Sequence, residues 1–249
     1  MHAVVVIPAR YASQRLPAKP LLNDTGKFLI QHVHEQAAKA KRVSGVIVAT
    51  DDRRIFDAVA SFGGRAAMTR TDHPSGTDRI AEVAAALDAD VIVNLQGDEP
   101  QFDPADLDLL VGLMASDPAV GMATLAIPLR NRADYLNPNV VKVVCDRDGR
   151  ALYFSRSPIP FVRDGEPDFT HTPPPFLQHL GVYAYRREVL LRLAATPPHP
   201  LEQAEKLEQL RALAHGIAIK VGVIATAHRG VDTPEDYAAF VQSHRANLS

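Results

Sequence analysis

The sequence predicts an α/β fold in which a mixed, mostly parallel sheet is flanked by helices. Three observations carry that prediction. Short β-branched runs alternate with segments of helical periodicity from residue 3 to residue 115, in the order β-α-β-α-β-α-β-α. The leading strand candidates are apolar throughout, as strands covered on both faces are. The chain has 249 residues, 46% hydrophobic and 22% charged, which suits one α/β domain, with room for a small appended lobe.

The elements follow in order. Residues 3–7 form the first apolar strand, and a loop rich in Arg, Lys and Pro follows it. Residues 29–40 read as a helix with Ile30, Val33 and Ala37 on one stripe. A strand over 45–50 precedes a helix over 52–62, which Gly63-Gly64 terminates. Next come a short strand at 65–68 and a helix at 76–87. Residues 90–96 make the strongest central strand, and a helix over 104–115 carries Pro104 in its first turn. The second half is more mixed. Strands are predicted at 120–128, 140–145, 151–155, 176–185 and 217–225, and helices at 201–214 and 234–246. The segment 156–175 carries six prolines and reads as an irregular excursion. No repeat, low-complexity tract or linker divides the chain into independent domains.

Composition excludes several classes. A formal charge of −2 argues against a polyanion-binding surface, so no nucleic-acid partner is expected, and an anionic ligand must meet a local basic cluster. Cys145 is the single cysteine, which rules out an internal disulfide or a cysteine-based metal site. Its apolar surroundings suggest a buried structural thiol. The N-terminal apolar run lacks a basic flank and is too short for a signal peptide, and no segment reaches membrane-spanning length. The expectation is a cytoplasmic chain without a membrane partner.

In an open α/β sheet, ligands bind beyond the carboxyl ends of the strands, and three charged segments fall there. After the first strand, Arg10, Arg15 and Lys19 put three cations within ten residues of a proline-stiffened loop. Arginine forks and a lysine point charge suit a triphosphate. A solvated basic loop has the same composition, so this segment alone leaves both readings open. After the central strand, Gly97 permits a sharp turn that presents the Asp98 carboxylate, a hard oxygen ligand suited to Mg²⁺ on phosphates; a plain Gly-Asp turn is the alternative. Near the end of the chain, Thr233 as N-cap and Pro234 at the first helical position account for a helix start. Asp232, one residue earlier, is left without a capping duty. Smaller signals are Ser75-Gly76 at a helix N-terminus, where Ser75 or Thr77 also serves as a cap, and Arg156 at a strand end. His179 shares a strand face with Gly181 and Tyr183. Glu205 and Glu208 share a helix face and read as solvated.

Together these segments closely resemble the 3-deoxy-manno-octulosonate (Kdo) cytidylyltransferase family. The resemblance rests on Pro8-Ala9-Arg10-Tyr11-Ala12-Ser13, His73-Pro74-Ser75-Gly76-Thr77-Asp78-Arg79, residues 94–100, Ala151-Leu152-Tyr153-Phe154-Ser155-Arg156, Leu207-Glu208-Gln209-Leu210-Arg211 and residues 230–236, six strings in order along nearly the whole chain. It implies a Rossmann-like nucleotidyltransferase fold, with a nucleotide-binding core over residues 1–128 and 217–249 and a smaller β-rich lobe over 129–216 for sugar binding and dimerisation. It also implies transfer of CMP from CTP to Kdo with release of pyrophosphate, which activates the sugar for lipopolysaccharide biosynthesis, in a Mg²⁺-dependent homodimer. Ala9, Arg10, Arg15, Lys19, Ser75, Gly76, Gln96 and Asp98 would bind nucleotide. Asp98 and Asp232 would hold the metal and, with Lys19 and Arg10, carry catalysis. Arg156, Arg163, His179, Tyr183, Glu208 and Gln209 would contact the acidic sugar.

The chain departs from the family pattern at Ala18, where glycine is common and positive φ is at issue, at Phe28, where proline is common, and at Gln178, where a basic residue is common. Competing readings are the same chemistry on another sugar acid such as an 8-amino analogue, and a non-catalytic nucleotide-sugar regulator. A nicotinamide dehydrogenase would need a glycine fingerprint after the first strand, and none is present.

Overall fold

A computed structural model describes residues 1–12, 16–227 and 230–246. The chain forms two compact units, Met1–Val111 with His228–Ser249, and Gly112–Ala227. The division falls earlier than residue 128 and later than residue 217, because strands β5 (Met122–Pro128) and β9 (Ile219–Val223) pair with each other inside the second unit.

The first unit holds β1 (Ala3–Ala9), α1 (Leu29–Ala37), β2 (Gly45–Thr50), α2 (Arg53–Ser61), β3 (Arg65–Met68), α3 (Gly76–Ala85), β4 (Val91–Asn94), the start of α4 (Pro104–Ser116) and, at the chain end, α9 (Pro234–Ala246). Its strands lie in the order β3-β2-β1-β4, and every pairing is parallel. Parallel order aligns the carboxyl ends of β1 and β4, so the loops after Ala9 and Asn94 leave the same edge. β1 and β4 are buried at almost every position, which matches strands covered on both faces. α9 packs Phe240 and Val241 against Leu16 and Leu29, and Val231 joins that cluster. This packing carries the 230–233 segment to the loop that follows β1.

The second unit adds α5 (Arg132–Leu136), β6 (Lys142–Cys145), β7 (Ala151–Ser155), β8 (Leu177–Arg186), α6 (Arg187–Ala194), α7 (Pro200–Glu205) and α8 (Gln209–Ala214) to β5 and β9. β5 runs antiparallel to β8 and parallel to β9, and β6 pairs antiparallel with β7 and β8. The predicted α/β architecture is present, parallel in the first unit and mixed in the second.

One local expectation is corrected, and two helices lie where none was expected. The helix predicted over 201–214 is two helices, because Lys206 adopts φ 54°, ψ 45° and breaks the run. α5 starts at an Asn131 cap whose side chain accepts from the Asp134 amide. α6 follows β8 without a break and buries Val189, Leu190 and Leu193. The proline-rich excursion is tied down by its own cluster, in which Val162 and Phe169 pack on Tyr135 and Phe176 and the Tyr135 hydroxyl donates to the Pro160 carbonyl at 2.8 Å. Cys145 is half-buried, and burial pushes its thiol up to about 11, so it stays protonated at neutral pH.

Candidate active site

A cavity of about 330 Å³ opens at the carboxyl edge of the first unit's sheet. Ala9, Arg10, Lys19, Gly76, Gln96 and Asp98 are among its lining residues. The turn after β4 passes close to β1 at Gly97, where a Cβ would lie 3.0 Å from the Pro8 carbonyl oxygen, a tight contact that glycine avoids. That close approach turns the Asp98 carboxylate toward the β1 loop.

Lys19 is the centre of the charge cluster. Its Nζ donates to Asp98 Oδ2 at 2.7 Å, to Asp232 Oδ1 at 3.1 Å and to the Val231 carbonyl at 3.0 Å. Two carboxylates from distant parts of the sequence therefore converge on one cation. The Val231 amide donates to the Asp98 carbonyl at 2.8 Å, which joins the two strand-end segments through the backbone as well. The α9 start behaves as predicted. Thr233 Oγ1 accepts from the Asp236 amide at 3.2 Å, and the Asp236 carboxylate accepts from the Thr233 amide at 3.1 Å. Capping is complete without the Asp232 carboxylate, which points to Lys19. Beside Asp98, burial and then the Asp98 charge push Glu99 up to about 7.

The donor set fits a hard divalent cation. Both side chains are carboxylates, and the ammonium already stands in for a shared positive charge. No cluster of three or more His, Cys, Asp or Glu suited to a metal occurs among the described residues. Further ligands would have to be phosphate and water oxygens, as is ordinary for Mg²⁺.

The loop after β1 is held from several sides. Arg10 Nη2 donates to the His73 carbonyl at 2.7 Å and lies 3.4 Å from the Ser75 carbonyl. The His73 ring is fixed by Glu82 of α3. Ser75 caps α3, accepting from the Asp78 amide at 3.1 Å, so the Gly76 amide opens a helix at the cavity wall. Arg79, without solvent exposure, anchors that helix to the end of β2 through Asp51 at 2.7 Å. Tyr11 lies under the Arg54 guanidinium, 3.3 Å from its ring centroid. Ala18 adopts φ 55°, ψ 22°, the left-handed conformation that glycine accepts more readily, immediately before Lys19. Gln96 Nε2 lies 3.5 Å from Asn94 Oδ1. Arg15 lies outside the described residues.

The residues predicted for the sugar acid lie in the second unit. His179 is buried, with Nε2 3.0 Å from Thr124 Oγ1 and its ring against Phe154 and Tyr183. Burial lowers its pKa from 6.5 to about 3, so it is a neutral hydrogen-bonding group. Burial, followed by the Glu208 charge, pushes the Tyr183 hydroxyl far up. Gln209 is 5% exposed, and its Nε2 has no hydrogen-bond partner among the described residues. A buried amide left in that state is suited to a ligand oxygen. Arg163 does not join this group. Its side chain is 90% exposed and pairs only loosely with Asp164, at 3.7 Å.

Two residues escaped the sequence reading. Glu205 is not a solvated surface acid, because its carboxylate accepts from Ser155 Oγ at 2.6 Å and from the Arg156 amide at 2.9 Å. Glu208 sits beyond the break at Lys206, at the start of α8, so the two acids do not share one helix face. Lys142 is buried without exposure, and a lysine inside the run Val140-Val141-Lys142-Val143-Val144 was the available signal.

Comparison with known proteins shows the family and the fold. The sequence pattern of the family described as Cytidylyltransferase matches residues 4–219. The 3-deoxy-manno-octulosonate cytidylyltransferase of Syntrophobacter fumaroxidans is 54% identical over 244 residues, covering 97% of this chain and 96% of that protein. The protein of the same name from Syntrophotalea carbinolica is 51% identical over 251 residues, covering 100% of both. Among solved structures, CMP:2-keto-3-deoxy-manno-octonic acid synthetase complexed with CTP superposes with a TM-score of 0.93 at 47% identity, covering 99% of this chain and 100% of that one. The 4-diphosphocytidyl-2C-methyl-D-erythritol synthase of Anaerococcus prevotii, at 13% identity and a TM-score of 0.62, shares the fold. The chain belongs to the 3-deoxy-manno-octulosonate cytidylyltransferase family.

Proposed function

We propose that the chain joins the CMP part of CTP to 3-deoxy-manno-octulosonate, giving CMP-Kdo and pyrophosphate and so activating the sugar for lipopolysaccharide biosynthesis. The observation that carries the reading is the convergence of Asp98 and Asp232 on one cation beside a cavity of about 330 Å³. The sugar's anomeric hydroxyl attacks the α-phosphorus, and the bond to the pyrophosphate oxygen breaks. Both reactants are anions, so charge opposes their approach.

Asp98 and Asp232 would hold Mg²⁺, which when bound neutralises phosphate charge and polarises the phosphoryl oxygens. Lys19 and Arg10 supply fixed positive charge where the pyrophosphate develops its own, which is the electrostatic contribution a preorganised site makes. The Gly76 amide at the α3 N-terminus offers a further donor to the nucleotide. On the acceptor side, Arg156 faces the sugar carboxylate and Gln209 a hydroxyl. His179 stays neutral and orients by hydrogen bonding. Positioning of two bound reactants is itself a large catalytic effect.

Homodimerisation belongs to the same reading. Phe161 at 81% and Leu152 at 63% exposure are apolar side chains that a second copy would cover. A cytoplasmic site of action belongs to it too. No helix among the described residues is long and apolar enough to cross a membrane. The test is pyrophosphate release from CTP with Mg²⁺ across a panel of sugar acids, including the 8-amino analogue, with UTP and ATP as controls. Release with CTP and Kdo above all other pairs is the expected result. Equal release with UTP, or preference for another acid, would overturn the nucleotide or the sugar assignment respectively.

A further inference from the structure

Lys142 has no exposed surface, yet none of its hydrogen-bond acceptors is a carboxylate. Its ammonium donates to the carbonyls of Asn137 at 2.9 Å, Val140 at 2.6 Å and Arg156 at 2.7 Å, which uses all three of its protons. Burying a charge is costly unless it is fully hydrogen-bonded, and an apolar side chain would fill the same space at less cost. Burial, then the nearby Arg156 cation, lowers the Lys142 pKa, while Glu205 opposes the shift. A buried cation in a strand under those conditions is best explained by what its three acceptors do.

Those acceptors surround Arg156. Pro138, inside the turn that Lys142 fastens at Asn137 and Val140, accepts from Arg156 Nη1 at 2.9 Å. On the other side, the Glu205 carbonyl accepts from Arg156 Nε at 2.6 Å and the Glu205 carboxylate from the Arg156 amide at 2.9 Å. The guanidinium is thus held between the 137–140 turn and the end of α7, and Lys142 binds both that turn and the main chain of Arg156.

We infer that Lys142 is a positioning residue for the sugar acid, acting through Arg156 by locking the 137–140 turn and the Arg156 backbone so that the guanidinium presents its remaining donors in one orientation. This rests on the assignment of Arg156 to the sugar carboxylate. The Lys142 side chain itself touches no substrate.

The experiment is steady-state kinetics on Lys142→Met, Arg156→Ala and the double variant, with thermal melting of each. Lys142→Met raises the KM for 3-deoxy-manno-octulosonate about tenfold, the loss of one well-aligned charge-assisted contact, and leaves the KM for CTP within about twofold. The double variant is no worse than Arg156→Ala alone, because both changes remove the same interaction. If Lys142→Met does not fold, Lys142→Gln, which keeps an amide donor for the carbonyls, carries the same test. Equal losses in both KM values, additive losses in the double variant, or unfolding of both Lys142 variants would overturn the inference and assign Lys142 to stability. A large sugar effect for Arg156→Ala with none for Lys142→Met sinks the inference alone. No sugar effect for Arg156→Ala sinks the Arg156 assignment instead.

Discussion

The two units present their polar side chains in opposite ways. In the first, Lys19, Asp98 and Asp232 are partly exposed and paired, Lys19 with Asp232 across more than two hundred residues of sequence, and Lys19 and Asp98 line a cavity. In the second, His179 and Gln209 are neutral and buried, and Arg156 is held by backbone carbonyls. Charge suits a ligand that brings phosphate and metal, where opposing charges must be offset at the moment of reaction. Neutral buried donors suit a polyhydroxylated ligand, because a buried polar group left unpaired rejects molecules that lack the matching hydroxyl. On the proposed function, the first unit supplies charge compensation and the second shape and hydroxyl pattern.

Substitutions can break that contrast. Lys19→Met removes the shared cation and, on the proposed function, the charge facing the phosphates, and turnover at saturating substrates falls by about 10²–10³-fold, as for loss of one preorganised electrostatic donor. An effect confined to the sugar KM would place Lys19 on the wrong side of the comparison. Gln209→Leu raises the sugar KM by roughly five- to tenfold, the usual worth of one hydrogen bond to ligand. It leaves CTP binding unchanged, and it changes the melting temperature little, since the Nε2 lost has no hydrogen-bond partner among the described residues.

Acid sensitivity separates the units differently. Above pH 6.5 the His179 ring is neutral in both folded and unfolded chains and contributes no pH dependence. As pH falls below 6.5 the unfolded chain takes up a proton that the folded chain refuses until about pH 3, so stability is lost over that window. The slope approaches about 1.4 kcal/mol per pH unit. His179→Asn should flatten the stability profile between pH 6.5 and 4, and an unchanged slope would show that the ring titrates normally. The first unit carries opposed contributions. His32 is lowered to about 4 by burial and acts as His179 does, whereas Glu99, raised to about 7, loses stability as pH rises from 4.5 to 7. The smallest effect is at Ala18. Ala18→Gly relieves the left-handed backbone and stabilises the fold by up to about 1 kcal/mol, or about 2–4 °C in a chain of this size. A lower melting temperature would mean that the strain is absent.

The first unit was the more legible one because its site lies in loops at strand ends, where sequence order dictates position. Asp232 stood out since Thr233 and Pro234 accounted for the α9 start without it, and the capping hydrogen bonds bear this out. The second unit depends on neighbours that sequence spacing does not supply. Nothing local marks Lys206 for a left-handed break, so the break that separates Glu205 from Glu208 was invisible. α6 begins directly after β8 with no glycine or proline between them to mark a helix start, so its apolar stripe of Val189, Leu190 and Leu193 went unassigned. The carbonyl cage of Lys142 draws on residues 137, 140 and 156, which only the folded β6–β7 pair brings together.

The central claim is that Asp98 and Asp232 act as a pair on one divalent ion in the presence of CTP. Mn²⁺ binding followed by electron paramagnetic resonance, with CTP present and no sugar, tests it most directly. Wild type should bind the ion tightly with CTP, and Asp98→Asn and Asp232→Asn should each weaken that binding to a similar degree while the fold melts as before. If either variant binds Mn²⁺ as wild type does, the two carboxylates do not share a metal.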